Sequence, residues 1–228
     1  MRPIILLIAS LPLAACMSTR TTTPEPETSD AFSAQRVSTH RDGDDLLTGG
    51  LGRDALLNPV APAVADAAHP TAAELRRRAL HANWRGIADL YGTVKAIPAV
   101  PGREFHAYAT LPGAKQPHRL LVQIPDGFDA AKRCLIVTAS SGSRGVYGAI
   151  GSVSAYGLPR GCAVAHTDKG TGTGFFDIAS GEGVQADGTR AARSTALEFD
   201  PGTTAAAGET RIAIKHAHSG DNPEVDWG

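Results

Sequence analysis

The segment Cys134–Thr167 constrains the fold of this chain more than any other part of the sequence. It opens with a short apolar run, Cys134–Ala139, that contains β-branched residues and leads directly into the glycine-rich turn SSGSRG at 140–145. A second apolar run, CAVAHT at 162–167, is short, as buried strands of parallel sheets are. A strand, a crossover helix over 146–156 and a second strand make a right-handed parallel unit. The sequence therefore predicts an α/β fold.

The glycine-rich turn is a candidate site. Its position at the carboxyl end of a parallel strand would let the backbone N–H groups of Ser141, Gly142 and Ser143 face a ligand. Arg144 could add positive charge near a substrate carboxylate. The alternative is that the glycines serve only tight packing of the strand against the helix. We favour the ligand-facing interpretation.

The elements before this unit extend the prediction to a larger sheet. Thr71 and Glu74 have the spacing of a capping box and predict a helix that continues towards Gly92. The apolar residues expected on one face of that helix are Leu75, Ala79, Ala82, Trp84, Ile87 and Leu90. Two strand-like runs, 104–110 and 119–124, predict a hairpin. The resulting order of elements opens an α/β-hydrolase sheet, in which the turn after the third strand supplies oxyanion-hole N–H groups.

The loop after the second parallel strand is rich in threonine and glycine and carries Lys169. It should lie beside the glycine-rich turn at the same edge of the sheet, where Lys169 could meet an anionic group. Alternatively, its glycines only satisfy turn geometry. From Asp168 to about Gly208 the sequence is loop-like, and a further strand is predicted at 211–216.

The first sixteen residues predict an export signal. A short basic start and an apolar stretch too short to span a bilayer end in LAAC at 13–16, which resembles a bacterial lipobox with Cys16 as the lipidated residue. An ordinary secretory signal is the alternative, and both place the protein outside the cytoplasm, secreted or lipid-anchored in the bacterial envelope. Residues 17–45, rich in Thr, Pro, Glu and Ser, predict a flexible polar tether, and 46–228 the folded domain.

Composition excludes one class of partner. The 228 residues carry a net charge of −1 and are only 5% aromatic, and no Lys/Arg run suggests otherwise, so we expect no nucleic-acid partner. Membrane contact is expected only through a lipid on Cys16.

Two other cysteines, Cys134 and Cys162, each open a predicted strand. In an oxidising compartment they could form a disulfide, and the alternative is two buried thiols.

A nucleophile is not evident in the sequence. The chain has no G-x-S-x-G elbow; Ser143 and Ser154 lie in SGSRG and SVSAY. A nucleophile at Ser141 or Ser143 would need an unusual elbow after the wrong strand. His166 is predicted to be a buried, hydrogen-bonded histidine.

No metal and no cofactor are predicted. His216 and His218 alternate and could share a face, with Asp221 as a weak third ligand, but two surface or supporting histidines are the favoured interpretation. A dinucleotide site with Asp168 near the ribose is disfavoured, because the glycines repeat every three residues and do not give G-x-G-x-x-G.

Longer runs carry a family resemblance. ASSGSRGVYGAIG and YGLPRGCAVAHTDKGTGTG, with DDLLTGGLG, PTAAELRRRAL and KHAHSGDNPEVDWG, are similar to the D-(−)-3-hydroxybutyrate oligomer hydrolase family. The resemblance covers about 44–228 and implies an exported serine esterase with an α/β-hydrolase-like core. Such an enzyme cleaves dimers and short oligomers of 3-hydroxybutyrate.

The resemblance also implies an incomplete chain. Family members are much longer, and no segment here matches the serine- and glycine-rich segment that carries their nucleophile. We therefore expect no catalytic nucleophile among these residues and place it beyond Gly228, the last residue of the sequence. The chain is then expected to be the amino-terminal part of the fold, with an incomplete sheet whose apolar edge and face are uncovered.

The resemblance gives the remaining residues their expected roles. In the intact enzyme the amides of Ser141 to Ser143 would be part of the oxyanion hole. Arg144 or Lys169 would hold the oligomer's terminal carboxylate. The competing hypothesis is a non-enzymatic surface lipoprotein or binding module built from the same fold.

Overall fold

A computed structural model describes residues 32–84, 96–110, 112, 116–140, 144–168, 174–206 and 208–215 of the chain. The larger of its two sheets has five strands in the order β1-β2-β3-β5-β4. Their bounds are β1 Phe32–His40, β2 Gly102–Ala109, β3 His118–Pro125, β4 Leu135–Ala139 and β5 Ala163–Thr167.

The predicted hairpin and the predicted parallel pair are both present. Strands β2 and β3 pair antiparallel, with Gly102 opposite Pro125. Strands β4 and β5 pair parallel, with Leu135 opposite Ala163. Strand β5 in turn pairs antiparallel with β3, which joins the parallel unit to the hairpin in a single mixed sheet.

Strand β4 lies at an edge of the sheet and is not buried on both faces, contrary to the expectation for a parallel strand. Leu135 and Val137 are 58% and 70% exposed. Their side chains alternate with Ile136, whose tip packs beneath Gly157 on the other face. Nothing in the described ranges covers the face of Leu135 and Val137, in keeping with the expectation of an uncovered apolar edge.

The helix predicted over 146–156 is shorter than expected. A π-helical turn spans Ile150–Ser154 and continues into α3, Ala155–Gly157. Before it, Gly145 adopts φ of 63°, and its carbonyl accepts a bond of 2.9 Å from the Gly148 N–H in a tight turn. Glycine is a poor helix former, and the glycines of this segment delay the start of the helix.

The predicted tether overlaps the first strand. Residues Phe32–His40 form β1 and pair antiparallel with β2 along their length, interrupted by a bulge between Ser33 and Arg36. The polar composition misled the prediction for residues 32–45, because an edge strand is held by backbone hydrogen bonds and needs few apolar side chains. The signal segment and the remainder of the tether lie outside the described residues.

The predicted capping box starts the longest described helix. Helix α2 spans Ala72–Trp84, and α1 is a short helix, Gly52–Leu57. The Glu74 N–H donates to Thr71 Oγ1 at 3.3 Å, and the Thr71 N–H donates to Glu74 Oε2 at 2.8 Å. The proposed stop at Gly92 lies outside the described residues.

The buried face of α2 agrees with the predicted one at Trp84 and differs from it elsewhere, while Ile87 and Leu90 lie outside the described residues. The residues turned to the sheet are Arg76, Leu80 and Trp84, at i, i+4 and i+8, whereas Leu75 and Ala79 line a cavity. The first buried residue of α2 is the charged Arg76, so the periodicity of apolar residues could not predict the buried face.

The segment DDLLTGG forms a compact turn beneath the sheet. Asp45 Oδ1 accepts the backbone N–H groups of Leu47 and Thr48, both at 2.8 Å. Gly50 adopts φ of 77°, and a Cβ there would lie 1.7 Å from the carbonyl oxygen of Gly43. Only glycine fits this position, which explains the second of the two glycines in the segment.

A second sheet occupies the region predicted as loop. Its strands are β6 Phe175–Asp177, β7 Glu182–Val184, β8 Arg190–Ala192 and β9 Ile212–Ile214, in the order β8-β7-β6-β9. The strand predicted at 211–216 is therefore present as β9. The other three were missed because three residues are too few to show an alternating pattern.

One apolar core lies between the larger sheet and the helical segments. Its fully buried members are Leu46, Leu47, Leu56, Leu80, Leu121, Ile150 and Val164. A separate small core of Phe176, Ile178, Leu197 and Phe199 packs beneath the second sheet. No helix among the described residues is long and apolar enough to cross a membrane.

Cys134 and Cys162 are joined by a disulfide. The bridge ties the starts of the parallel strands β4 and β5 across a sequence separation of 28 residues. Of the two alternatives left open by the sequence, the structure contains the bridged form.

Candidate functional site

The carboxyl ends of β4 and β5 lie together, at the sheet edge where the sequence placed a site. The Ser140 N–H donates to the Thr167 carbonyl at 2.8 Å, so the two strands leave the sheet side by side. Arg119, at the start of β3, joins them: its N–H donates to Asp168 Oδ1 at 2.9 Å. Ligands of open α/β sheets bind at such an edge.

Most of the predicted site residues lie outside the described ranges. These are Ser141, Gly142, Ser143, Lys169, Cys16, His216, His218 and Asp221. Arg144 is described: its Nη1 donates to the Ala82 carbonyl at 3.2 Å, and the residue lines the wall of a cavity. A role for its exposed guanidinium in binding substrate stays a prediction.

The expected position of the nucleophile, beyond Gly228, also lies outside the described residues, which end at Lys215. The structure therefore leaves that expectation as a prediction. The described residues contain two serine–histidine pairs and a large cavity.

The cavity has a volume of about 920 Å³ and lies between β1, α2, residues 144–147 and the second sheet. Its apolar lining includes Val37, Leu75, Ala79, Val146, Phe175 and Val184. Arg36 closes one side, because its guanidinium contacts Asp187 and donates to Gln185 Oε1 at 3.2 Å. A volume in this range, apolar walls and a few polar groups are typical of a small-molecule site.

The fully buried carboxylate of Glu104 organises one wall of the cavity. Arg76 donates to both of its oxygens, at 2.9 and 2.8 Å. The Gln123 amide and the Tyr147 hydroxyl donate to it at 2.9 and 2.8 Å. Burial alone would raise the pKa of Glu104, but the charge and hydrogen bonds of Arg76, with neighbouring histidines, hold it well below the ordinary range.

Three side chains in the cavity resemble a hydrolytic triad. Ser38 Oγ lies 2.7 Å from His40 Nε2, and His40 Nδ1 lies 2.8 Å from Asp44 Oδ2. However, the same Nε2 is 3.4 Å from Glu104 Oε2. Burial lowers the pKa of His40, but the hydrogen bonds that its ring donates to Asp44 and Glu104 outweigh burial, so the pKa is raised. Because both ring nitrogens of His40 lie close to carboxylates, Nε2 is not available to Ser38 alone, and the arrangement favours a structural role.

A second serine–histidine pair is enclosed in the core. Ser154 Oγ lies 3.0 Å from His166 Nε2 and donates to Gln123 Oε1 at 2.8 Å. Both residues are buried, and burial lowers the pKa of His166 to about 4. The prediction of a buried, hydrogen-bonded His166 is confirmed, and the pair is inaccessible to substrate.

Arg119 and His106 are the polar groups at the floor of the cavity with open hydrogen-bonding capacity. Neither Arg119 Nε nor His106 Nδ1 has a hydrogen-bond partner among the described residues. Arg119 has a long ion pair with Glu198, Nη1 to Oε2 at 3.8 Å. Burial raises the pKa of Glu198, although the charge of Arg119 opposes the shift.

Sequence reasoning missed these buried polar residues. Glu104, His106 and Tyr108 alternate along β2 and share its core-facing side, whereas the apolar Phe105 lies on the opposite face. The alternation along β2 is visible in the sequence, but the face that carries the polar residues would ordinarily be predicted to face solvent. Among the described residues, no group of three His, Cys, Asp or Glu is arranged to hold a metal ion.

The described residues thus form a mixed sheet with one parallel pair, beside a cavity of the size that small-molecule sites have. Sequence comparison then gives the family: the chain belongs to the 3HB-oligomer hydrolases, whose family model matches residues 13–228. The resemblance found in the sequence is therefore confirmed. No solved structure matches the chain significantly.

Three relatives illustrate the match, and each is named a D-(−)-3-hydroxybutyrate oligomer hydrolase. The protein of Ralstonia pickettii is 46% identical, and the match covers 81% of this chain and 28% of the relative. That of Cupriavidus necator is 44% identical, covering 81% and 29%. That of Polaromonas naphthalenivorans is 40% identical, covering 98% and 36%. The chain thus spans about a third of the relatives that it matches.

Proposed function

We propose that this chain is the amino-terminal part of an exported esterase that hydrolyses dimers and short oligomers of 3-hydroxybutyrate through a serine nucleophile. The observation that carries the proposal is the family match over 13–228, with relatives named for hydrolysis of these oligomers. The activity is proposed for the whole protein, of which this chain supplies one part of the site. The nucleophile is proposed to follow Gly228 in that whole protein.

The strand arrangement supports an α/β-hydrolase-like fold. The hairpin β2–β3 adjoins the parallel pair β5–β4, and β4 ends where the glycine-rich turn begins. In that fold the turn after the corresponding strand contributes oxyanion-hole N–H groups. We assign this role to the amides of Ser141 to Ser143.

The charge of the site supports an anionic substrate. Arg144 stands on the cavity wall with a neutral carbonyl as its hydrogen-bond partner. We propose that Arg144 or Lys169 attracts the terminal carboxylate of the oligomer. Export is proposed from residues 1–16, as a secreted or lipid-anchored protein of the bacterial envelope.

A chimera tests the function. The aligned part of this chain replaces the matching region of the Ralstonia pickettii hydrolase, and release of 3-hydroxybutyrate from its linear dimer is measured. We expect turnover by the chimera and none by this chain alone. A folded but inactive chimera would favour the non-enzymatic lipoprotein. Turnover by the chain alone would instead place a nucleophile within it, and Ser141→Ala, Ser143→Ala and Ser38→Ala would locate that nucleophile.

A further inference from the structure

The floor of the cavity presents one cationic donor and one neutral acceptor side by side. Tyr108 is opposite Arg119 in the β2–β3 ladder, and His106 is opposite Leu121, so Arg119 and His106 are diagonal neighbours on the same face. Both line the cavity. Because Arg119 Nε and His106 Nδ1 have no hydrogen-bond partner among the described residues, the pair points to a ligand with complementary groups.

Arg119 supplies the donor. The residue is 7% exposed, and its Nε has no hydrogen-bond partner among the residues that the structure describes. Its ion pair with Glu198 is long, at 3.8 Å. Arg76, by contrast, is fully engaged with Glu104 and Asp44, and Arg36 with Asp187. A buried guanidinium with a free N–H suits a carboxylate.

His106 supplies the acceptor. Its Nε2 lies 3.4 Å from Glu104 Oε2, which places the ring proton on Nε2 and leaves the Nδ1 lone pair free. Burial, reinforced by the charge of Arg119 but opposed by Glu104, lowers the pKa of His106, so the ring is neutral near pH 7. Its edge packs on Tyr147, with ring centroids 6.5 Å apart, which fixes the direction of Nδ1. A neutral acceptor at this position suits a hydroxyl donor.

We propose that the cavity floor binds a free short-chain hydroxy acid, with its carboxylate on Arg119 and its hydroxyl donating to His106 Nδ1. In a linear oligomer of hydroxybutyrate each internal unit has both of these groups esterified and each terminal unit has one, whereas the released monomer has both free. The site is therefore a product site for 3-hydroxybutyrate. The apolar walls, with Val146 and Phe175, suit its methyl group. The choice of this hydroxy acid rests on the proposed function.

Three probes separate the two contacts. The chain is titrated with (R)-3-hydroxybutyrate, with butyrate, which lacks the hydroxyl, and with methyl 3-hydroxybutyrate, which lacks the charge. We expect the hydroxy acid to bind at least about tenfold more tightly than either analogue, because each analogue leaves a buried group unpaired. Equal affinity for all three compounds would overturn the proposal.

Variants assign the contacts to residues. Arg119→Gln combined with Glu198→Gln removes both members of the ion pair, so that no lone charge is left buried. This variant should lose the preference for acid over methyl ester. His106→Phe should lose only the preference for hydroxybutyrate over butyrate. Arg41→Gln, at an exposed pair with Asp126 outside the cavity, is the matched control and should bind as wild type.

The chimera gives a second readout. In it, 3-hydroxybutyrate should inhibit dimer hydrolysis, and the Arg119→Gln/Glu198→Gln variant should weaken that inhibition by about tenfold or more. Hydrolysis with unaltered inhibition in the variant would refute the product site and leave the proposed function standing. An inactive chimera together with selective binding by the chain would do the reverse.

Discussion

The buried carboxylate of Glu104 should be the largest single polar contribution to the stability of the described fold. Four hydrogen bonds converge on it, from Arg76 twice, Gln123 and Tyr147. Glu104→Gln keeps the shape of the side chain but removes the charge that compensates Arg76. Breaking a buried pair in this way costs about 3–5 kcal/mol. Because Asp44 still contacts Arg76 at 2.8 Å, the lower end of that range is expected, about 3 kcal/mol.

Urea unfolding followed by circular dichroism measures this effect. With a slope of about 2 kcal/mol per molar urea, the midpoint should fall by about 1.5 M. Asp126→Asn, which breaks an exposed pair with Arg41, is the control and should cost less than about 1 kcal/mol. Adding Arg76→Met to Glu104→Gln should recover at least about 1 kcal/mol relative to the sum of the single changes. If Glu104→Gln costs no more than the control, the carboxylate does not organise this wall.

Three further outcomes are expected. The folded pKa of Glu104 lies well below its ordinary value of 4.5, so its contribution to stability is complete above pH 4.5 and is lost as the pH falls through the folded pKa. When the free energy of unfolding is measured against pH, it should therefore decline less steeply in acid for Glu104→Gln than for the wild type. Parallel curves for the two proteins would contradict this. Reducing the bridge between Cys134 and Cys162 should lower the free energy of unfolding by about 3.5 kcal/mol, because the bridge closes a loop of about 28 residues in the unfolded chain. The stability of a variant with both cysteines replaced by serine should not change on addition of reductant. Free thiols in the unreduced, unfolded chain would exclude the bridge. Gly50→Ala should lower the free energy of unfolding by about 3 kcal/mol or more, because the added Cβ would lie 1.7 Å from a backbone oxygen. Gly202→Ala has a similar φ of 70° but open space around the Cβ, and it should cost about 1 kcal/mol. Equal losses of stability in thermal unfolding would refute the steric argument.

Local signals in the sequence predicted the elements that they specify. The Thr71–Glu74 box starts α2 because two side chains and two backbone amides within one turn satisfy each other. The hairpin and the parallel pair followed from apolar runs bounded by turn residues. The π-helical turn at Ile150–Ser154 did not, because its late start depends on how the glycine backbone packs against Ser140 and Arg144.

The candidate site was less predictable than the fold. Arg144 could be assigned to the edge of the sheet, because a turn at the carboxyl end of a strand must leave the sheet there, and the structure has it in the cavity wall. Glu104, His106 and Arg119 were missed, because burial of a charged residue is decided by partners distant in sequence. Arg76 lies 28 residues from Glu104 in the sequence, and no local sequence pattern predicts that the two residues pair.

The closure of the cavity by Arg36 has a consequence for the order of folding. Arg36 reaches Asp187 across 151 residues, and Gln116 reaches the Asp200 carbonyl across 84. Contacts this distant in sequence form late, because the loops that they close cost the most entropy. As the chain emerges during synthesis, the larger sheet can assemble once β5 has appeared, before the cavity has its second wall. A nascent chain ending near Asp168 would thus hold its hairpin and parallel pair but could not yet retain a ligand.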